Sequence, residues 1–424
     1  MTEERAATIK GLMKALGPGI LFAGAAIGGS HLIQSTRAGA SYGFELLWAV
    51  ILINIFKYPF FEYGHRYVAA TGESILEGYL RIGKWAVATF FGLSVITAFV
   101  NAAAVTIVTA GLTSHFFGIT LGPVWTSILI LLVTLSILFI GKYPLLDSTM
   151  KVMVSVLGIT TIISTIIAFT IAAQRGFATA PGFVDPELWN ITGVAFLLAL
   201  MGWMPAPIEV SVWPSLWALE RKKQTNYTPN LREHLFDFYV GYIGTAVMAL
   251  FFLGLGAFVM YGTGEHFSDS GVVFSGQLVA LYTETLGGWS FWIISAVVLI
   301  TMASTVMTVF DAYPRTLQGS FDLLRGGIRK NSSAMNYFWT MLMAVAAVLI
   351  ITQFKQSMKA MMDFATIISF LAAPVFAIIN YKVVTAEHMP IAARPKRWLR
   401  ALSITGIFFL VGFSLVYIYY LLFI

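Results

Sequence analysis

Apolar residues recur along this chain in long runs separated by short polar segments, from near residue 16 to the last residue. A helix needs about 20 mainly apolar residues to cross the hydrocarbon core of a bilayer. A window of that length predicts eleven spans, at 16–39, 45–69, 86–111, 122–141, 150–173, 190–218, 237–262, 288–312, 335–353, 362–383 and 401–424. The longest connections are 174–189, 219–236, 263–287, 313–334 and 384–400, and none is large enough for a soluble domain. The pattern therefore predicts one all-α membrane domain over residues 1–424. No cleavable leader is expected, because the first apolar run continues past signal length without an A-x-A-like site.

Composition sharpens this picture. The chain is 58% hydrophobic and 11% charged, whereas soluble proteins carry about 25% charged residues. Mean hydropathy is +0.81. A soluble enzyme, a nucleic-acid binder and a disordered scaffold are excluded on these grounds. There is no cysteine, hence no disulfide framework and no thiolate metal site. The net charge of +6 is explained by orientation. If the N-terminus is cytoplasmic, only Arg37, Arg175, Lys355 and Lys359 lie outside and Lys57 lies within a span, so 21 of the 26 lysines and arginines lie on the cytoplasmic side. That bias is the positive-inside pattern of a multi-pass protein. It predicts a plasma (inner) membrane location with the C-terminus outside. The expected partners are the bilayer and a small ion, with no cofactor, nucleic acid or obligate protein partner.

Two spans are interrupted. The first contains Gly28-Gly29-Ser30 near its middle, and the sixth contains Met204-Pro205-Ala206-Pro207. Glycine weakens a helix, and proline removes a donor and clashes with the preceding turn. Broken backbone at membrane depth is tolerated where it lines a cavity or is buried in protein. Interrupted spans at corresponding places in two halves point to a transporter site. The first and sixth spans are five apart, so the second set of five begins from the opposite side of the membrane, as an inverted repeat requires.

The stretch from Gly17-Pro18-Gly19 through Gly39-Ala40-Ser41-Tyr42-Gly43 to Leu46-Leu47-Trp48 resembles the opening of the natural resistance-associated macrophage protein (Nramp) divalent-metal transporters, and Met204-Pro205 stands where that family has Met-Pro-His. Residues 57–79 (KYPFFEYGHRYVAATGESILEGY), 311–315 (DAYPR) and 363–375 (DFATIISFLAAPV) resemble its magnesium-transporter branch. The resemblance implies a fold like that of the leucine transporter LeuT. It would have repeats at about 16–173 and 190–383, an additional helix at about 401–424, and a substrate site between the two interruptions. Typical Nramp proteins carry Asp-Pro-Gly-Asn at the first interruption, and its aspartate and asparagine bind metal. Those positions here read Gly28-Gly29-Ser30-His31. The family's span-six histidine is Ala206, so only Met204 keeps its identity among the familiar ligands.

Ionisable residues inside spans are costly and mark candidate functional groups. Glu209, one turn beyond the second interruption, is the one carboxylate near either interruption and can serve as cation ligand, proton acceptor or structural hydrogen-bond partner. His31, Met204 and Glu209 are the candidate metal ligands, and Gly28, Gly29, Ser30 and Ala206 complete the expected substrate site. Glu62 and His65 share a helix face and, with Asp311, form the expected proton or ion pathway. Lys57 is expected to pair with Glu62 or Asp311, and Arg66 to snorkel to the interface. Asp311 is spaced for a local pair with Arg315. Asp147 and Asp363 suit the starts of their helices. Thr301, Ser304, Thr305 and Thr308 form a hydroxyl stripe suited to backbone bonding. These features predict a secondary transporter that imports a divalent cation, magnesium or manganese first, with proton coupling, by alternating access. The alternative is the same fold carrying a small organic or inorganic anion or an amino acid. No serine-hydrolase, zinc-protease or P-loop motif suggests an enzyme.

Overall fold

The computed structural model describes residues 9–140, 143–175, 180–326 and 332–423. The regular elements among them are all helical. A short α1 (Ile9–Ala15) precedes α2 (Pro18–Ala26). Pro18 suits the first turn, where its missing N–H leaves no orphan. α2 widens into a π-helix over Ile27–Ser35 and continues as α3 (Thr36–Tyr42). Then come α4 (Leu47–Thr71), α5 (Ile75–Ile82), α6 (Lys84–Phe117), α7 (Pro123–Ile140) and α8 (Tyr143–Arg175). In the second half α9 (Ile191–Trp203) stops at the proline pair, and a 3-10 turn over Ile208–Val212 leads into α10 (Trp213–Thr225). The chain finishes with α11 (Leu231–Val259), α12 (Gly271–Leu286), α13 (Phe291–Gly326), α14 (Ser333–Gln353), α15 (Met358–Thr385) and α16 (Arg397–Phe423).

Nine helices among the described residues are long and apolar enough to cross a membrane. The first two predicted spans are not among them. One is divided into α2, the π-helix and α3. The other, α4, carries Lys57, Glu62, His65 and Arg66, which lower its hydropathy. Two departures from the sequence expectation are local. The connection 263–287 contains the 16-residue α12, and α13 runs on to Gly326, well past residue 312. The side chain of Asp147 lies outside the described residues.

Burial separates inner from lipid-facing helices. The apolar window of α9–α10 is 72% buried and that of α16 only 17%. α16 accordingly exposes Phe408, Leu415 and Leu422, as a peripheral membrane helix must when lipid is its solvent. The interior is built by α6 on α13, α15 on α9, and α11 on α2, α3 and α4. Small residues let α11 approach the first span closely, as is common between membrane helices. A Cβ on Gly19 or Gly39 would overlap the carbonyls of Asp237 or Leu253, and one on Gly241 or Gly256 would overlap those of Gly19 or Thr36.

Candidate functional site

The second interruption follows from where the prolines stand. In an α-helix the carbonyl of residue i accepts from the N–H of residue i+4. For Met201 and Trp203 those partners would be Pro205 and Pro207, which have no N–H. α9 therefore ends, the Met204–Pro205 peptide is cis, and the last carbonyls need other donors. Lys57 of α4 supplies them. Its fully buried ammonium donates to Met201 O (2.8 Å), Gly202 O (2.8 Å) and Ala206 O (3.1 Å).

The first interruption takes a different form. Gly28 and Gly29 lie in the π-helix, whose wider turns keep the chain helical through the middle of the span. Both are packed too closely for a side chain: a Cβ on Gly28 would overlap Thr305 of α13, and one on Gly29 the Trp203 ring. Ser30 ties the two interruptions together, its Oγ bonding Ala26 O (2.5 Å) and Pro205 O (3.0 Å). His31 is fully buried, with Nδ1 2.6 Å from Ser30 Oγ and Nε2 2.9 Å from Thr245 O on α11.

Between the interruptions lies a cavity of about 40 Å³, lined mainly by apolar atoms and by Gly29, Ser30, Trp203, Ala206, Trp213 and Thr305, among others. Asn101 and Tyr313 also face it and hold Glu209 behind them. Glu209 Oε1 accepts from Asn101 Nδ2 and Tyr313 OH, each at 3.3 Å. Asn101 Nδ2 also donates to the Tyr313 oxygen (2.9 Å), while Asn101 Oδ1 accepts from Trp203 Nε1 and Ser369 Oγ, each at 3.2 Å. Glu209 is 1% exposed and its Oε2 has no hydrogen-bond partner among the described residues. Trp213 lines both this cavity and a second one of about 520 Å³, which Glu220, Lys223, Asp311 and Arg315 also line. That vestibule lies on the face that carries α1, where Arg221 reaches Lys14 O (3.4 Å). On the other face Arg37 of α3 and Asp363 of α15 form a two-pronged ion pair, at 2.7 and 3.0 Å.

A family model described as natural resistance-associated macrophage protein-like (Nramp) matches residues 19–420. The chain belongs to this Nramp-like family. It is 40% identical over 405 residues to an uncharacterised protein of Pasteurella multocida, covering 95% of this chain and 92% of that one. Among solved structures it is similar to a manganese transporter of Eremococcus coleocola in complex with an aromatic bis-isothiourea substituted compound, with a TM-score of 0.71 at 13% identity over 98% of this chain and 88% of that one. It is also similar to MhsT in complex with L-phenylalanine, with a TM-score of 0.63 at 14% identity over 99% of this chain and 100% of that one. The fold is thus the LeuT-type transporter fold, in a multi-pass membrane protein.

Against the Nramp pattern, the position of the metal-binding aspartate is the one where Thr305 leaves no room for a side chain. Among the described residues no group of three histidine, aspartate or glutamate side chains is placed to hold a metal ion. Ser30, Gly29 and Ala206 line the central cavity, with Glu209 one residue removed from it. Gly28 packs on Thr305, His31 is engaged toward α11, and Met204 is buried. Glu62, His65 and Asp311 lie away from the cavity. Glu62 is held by Arg66 through both oxygens, and Arg66 is itself largely buried and also bonded to Ala393 O (3.0 Å). His65 faces Asp237 of α11 (3.6 Å), whose carboxylate accepts from Gly17 N (2.9 Å) and Gly19 N (2.7 Å) at the start of α2. Asp311 pairs with Arg315 (2.7 Å). Lys57 takes neither expected partner, because the carbonyls left by the prolines lie within its reach. The hydroxyl stripe of α13 bonds back to its own carbonyls at Ser304, Thr305 and Thr308.

Sequence reasoning passed over Asn101, Trp203, Trp213, Asp237 and Tyr313. Asn101 carried a usable signal: it is the only amide or charged side chain in the apolar run 86–111, and such a group needs partners inside a bilayer.

Proposed function

We propose that this Nramp-like protein is a secondary-active transporter of the inner membrane that imports a divalent metal cation, magnesium or manganese first, by alternating access. The observation that carries this reading is Glu209: a buried carboxylate just behind the cavity between the interruptions, fixed through one oxygen by Asn101 and Tyr313, with its other oxygen unpartnered among the described residues. With the hydroxyls of Ser30 and Thr305 and the carbonyl of Pro205, it offers the oxygen ligands that hard cations prefer. The vestibule reaching Trp213 on one face and the Arg37–Asp363 pair on the other support a one-sided access path. Proton coupling belongs to the proposal, and the buried His65–Asp237 pair supports it better than Glu62, which Arg66 already engages.

A second reading has its own support. Lys57 lies close enough to Glu209 for their charges to attract, and the cavity wall includes two indoles, of which Trp213 has an Nε1 unpartnered among the described residues. That arrangement suits a small organic solute such as an amino acid. Vesicle uptake with magnesium, manganese and a panel of small acids, with and without an imposed pH gradient, separates the two. Saturable metal uptake abolished in Glu209→Gln supports the first reading. Uptake of an organic solute alone, indifferent to metal, refutes it.

A further inference from the structure

Lys57 is an unusual residue to find at membrane depth: it is wholly buried, and among the described residues its hydrogen bonds run to carbonyls, with none to a carboxylate. An ammonium has three donors, and here they meet three carbonyl oxygens. Two of those oxygens, Met201 O and Gly202 O, belong to the last turn of the half-helix α9, where the helix dipole concentrates negative potential, and Ala206 O comes from the segment just beyond it. Pro205 leaves Met201 O without its own N–H, and Ala206, which would be the helical partner of Gly202 O, lies beyond the end of α9. A cluster of converging carbonyls at a half-helix C-terminus is also what coordinates small cations in broken-helix transporters. Filling it with a side chain places a positive charge beside the central cavity, within electrostatic reach of Glu209.

We propose that Lys57 is a resident cation: its ammonium occupies a carbonyl-lined site for a small hard cation at the end of α9, so that this position needs no ion from solution. Removing the ammonium while leaving the space open converts the position into a binding site for such an ion. The proposal stands whatever the transported substrate is, because the three carbonyl oxygens are already engaged by the ammonium, and Met201 and Gly202 are not among the residues that line the cavity.

The test is the melting midpoint of purified full-length protein, followed by tryptophan fluorescence, in sodium chloride, lithium chloride or choline chloride at equal ionic strength. Wild type is expected to melt at the same temperature in all three. Lys57→Ala is expected to melt low in choline and to rise saturably by about 3 °C or more with sodium or lithium, as binding to the native state requires. Methylammonium, the missing head group, should rescue it in the same way. Lys57→Met fills the space with an uncharged chain and is expected to show no ion dependence. Lys57→Gln, which keeps donors for two carbonyls, guards against loss of folding in the alanine variant and should show a smaller sodium response. An ion-independent Lys57→Ala, or a wild type that itself requires sodium, overturns the proposal. So does failure of both Lys57→Ala and Lys57→Gln to fold in every salt, since the chain of the lysine would then be what α9 needs.

Discussion

Replacing Asp363 by asparagine removes the charge bound to Arg37 while leaving side-chain volume nearly unchanged. Arg37 is 5% exposed, gives two N–H bonds to Asp363 and a third to Gln34 Oε1 (2.8 Å), and lies 5.0 Å from the centroid of the Phe196 ring. Taking one partner from a fully buried ion pair costs about 3–5 kcal/mol, because the other charge stays buried and unpaired. The Asp363 side chain is 27% exposed and asparagine still offers an acceptor, so about 2 kcal/mol is the expected loss, given how little exposed pairs are worth. At 1.4 kcal/mol per factor of ten, that is about a 30-fold shift toward states in which α3 and α15 part. The chain contains no cysteine, so one introduced thiol has no background. Val309→Cys places that thiol in the wall of the central cavity. A membrane-impermeant maleimide supplied only from the Arg37 face should label it about 30-fold faster in Asp363→Asn than with Asp363 intact, by the same conversion. A rate unchanged within a factor of about three, less than 1 kcal/mol, would show that the pair does not hold that face shut.

Three further outcomes are expected. Gly28→Asp alone should lower the melting midpoint and purified yield, since its Cβ meets Thr305, whereas adding Thr305→Ala should restore folding and give tighter manganese binding by calorimetry than the wild type. Trp213→Ala removes the ring that borders both the 40 Å³ and the 520 Å³ cavities, and steady-state accumulation in vesicles should fall through leak while initial binding persists. Asp237→Asn weakens two N–H bonds to the start of α2 and should cost about 1–3 kcal/mol, as for other charge-assisted bonds, read as an earlier thermal transition.

Most of the fold was legible because spans are set by local composition, and apolar length alone locates helices in lipid. Both interruptions were legible from Gly28-Gly29 and from Pro205 and Pro207, although nothing in the sequence distinguishes a π-helical widening from an unwound break. Partnerships were less legible. Glu62 and His65 do share a face of α4, but Glu62 turns along its own helix to Arg66 and His65 turns across to Asp237. Spacing gives the face, while the neighbouring helix decides the partner. Asn101 belongs to a stretch that reads as apolar helix and Tyr313 to one that reads as a connection, and only the packing of α6 on a longer α13 brings them to Glu209.

Asp237 and the glycines along α11 have a mechanical consequence. The carboxylate grips the first turn of α2, and Gly19 with Gly241 and Gly39 with Gly256 bring the backbones together at both ends of the first span. α2 cannot slide or tilt against α11 without parting these contacts, and α3 is fastened to the same strut further along. The first span and α11 therefore travel as a single lever, and a spectroscopic label on the lipid-facing side of α11, at Val247 for example, would report the swing of a span that is itself buried and hard to label.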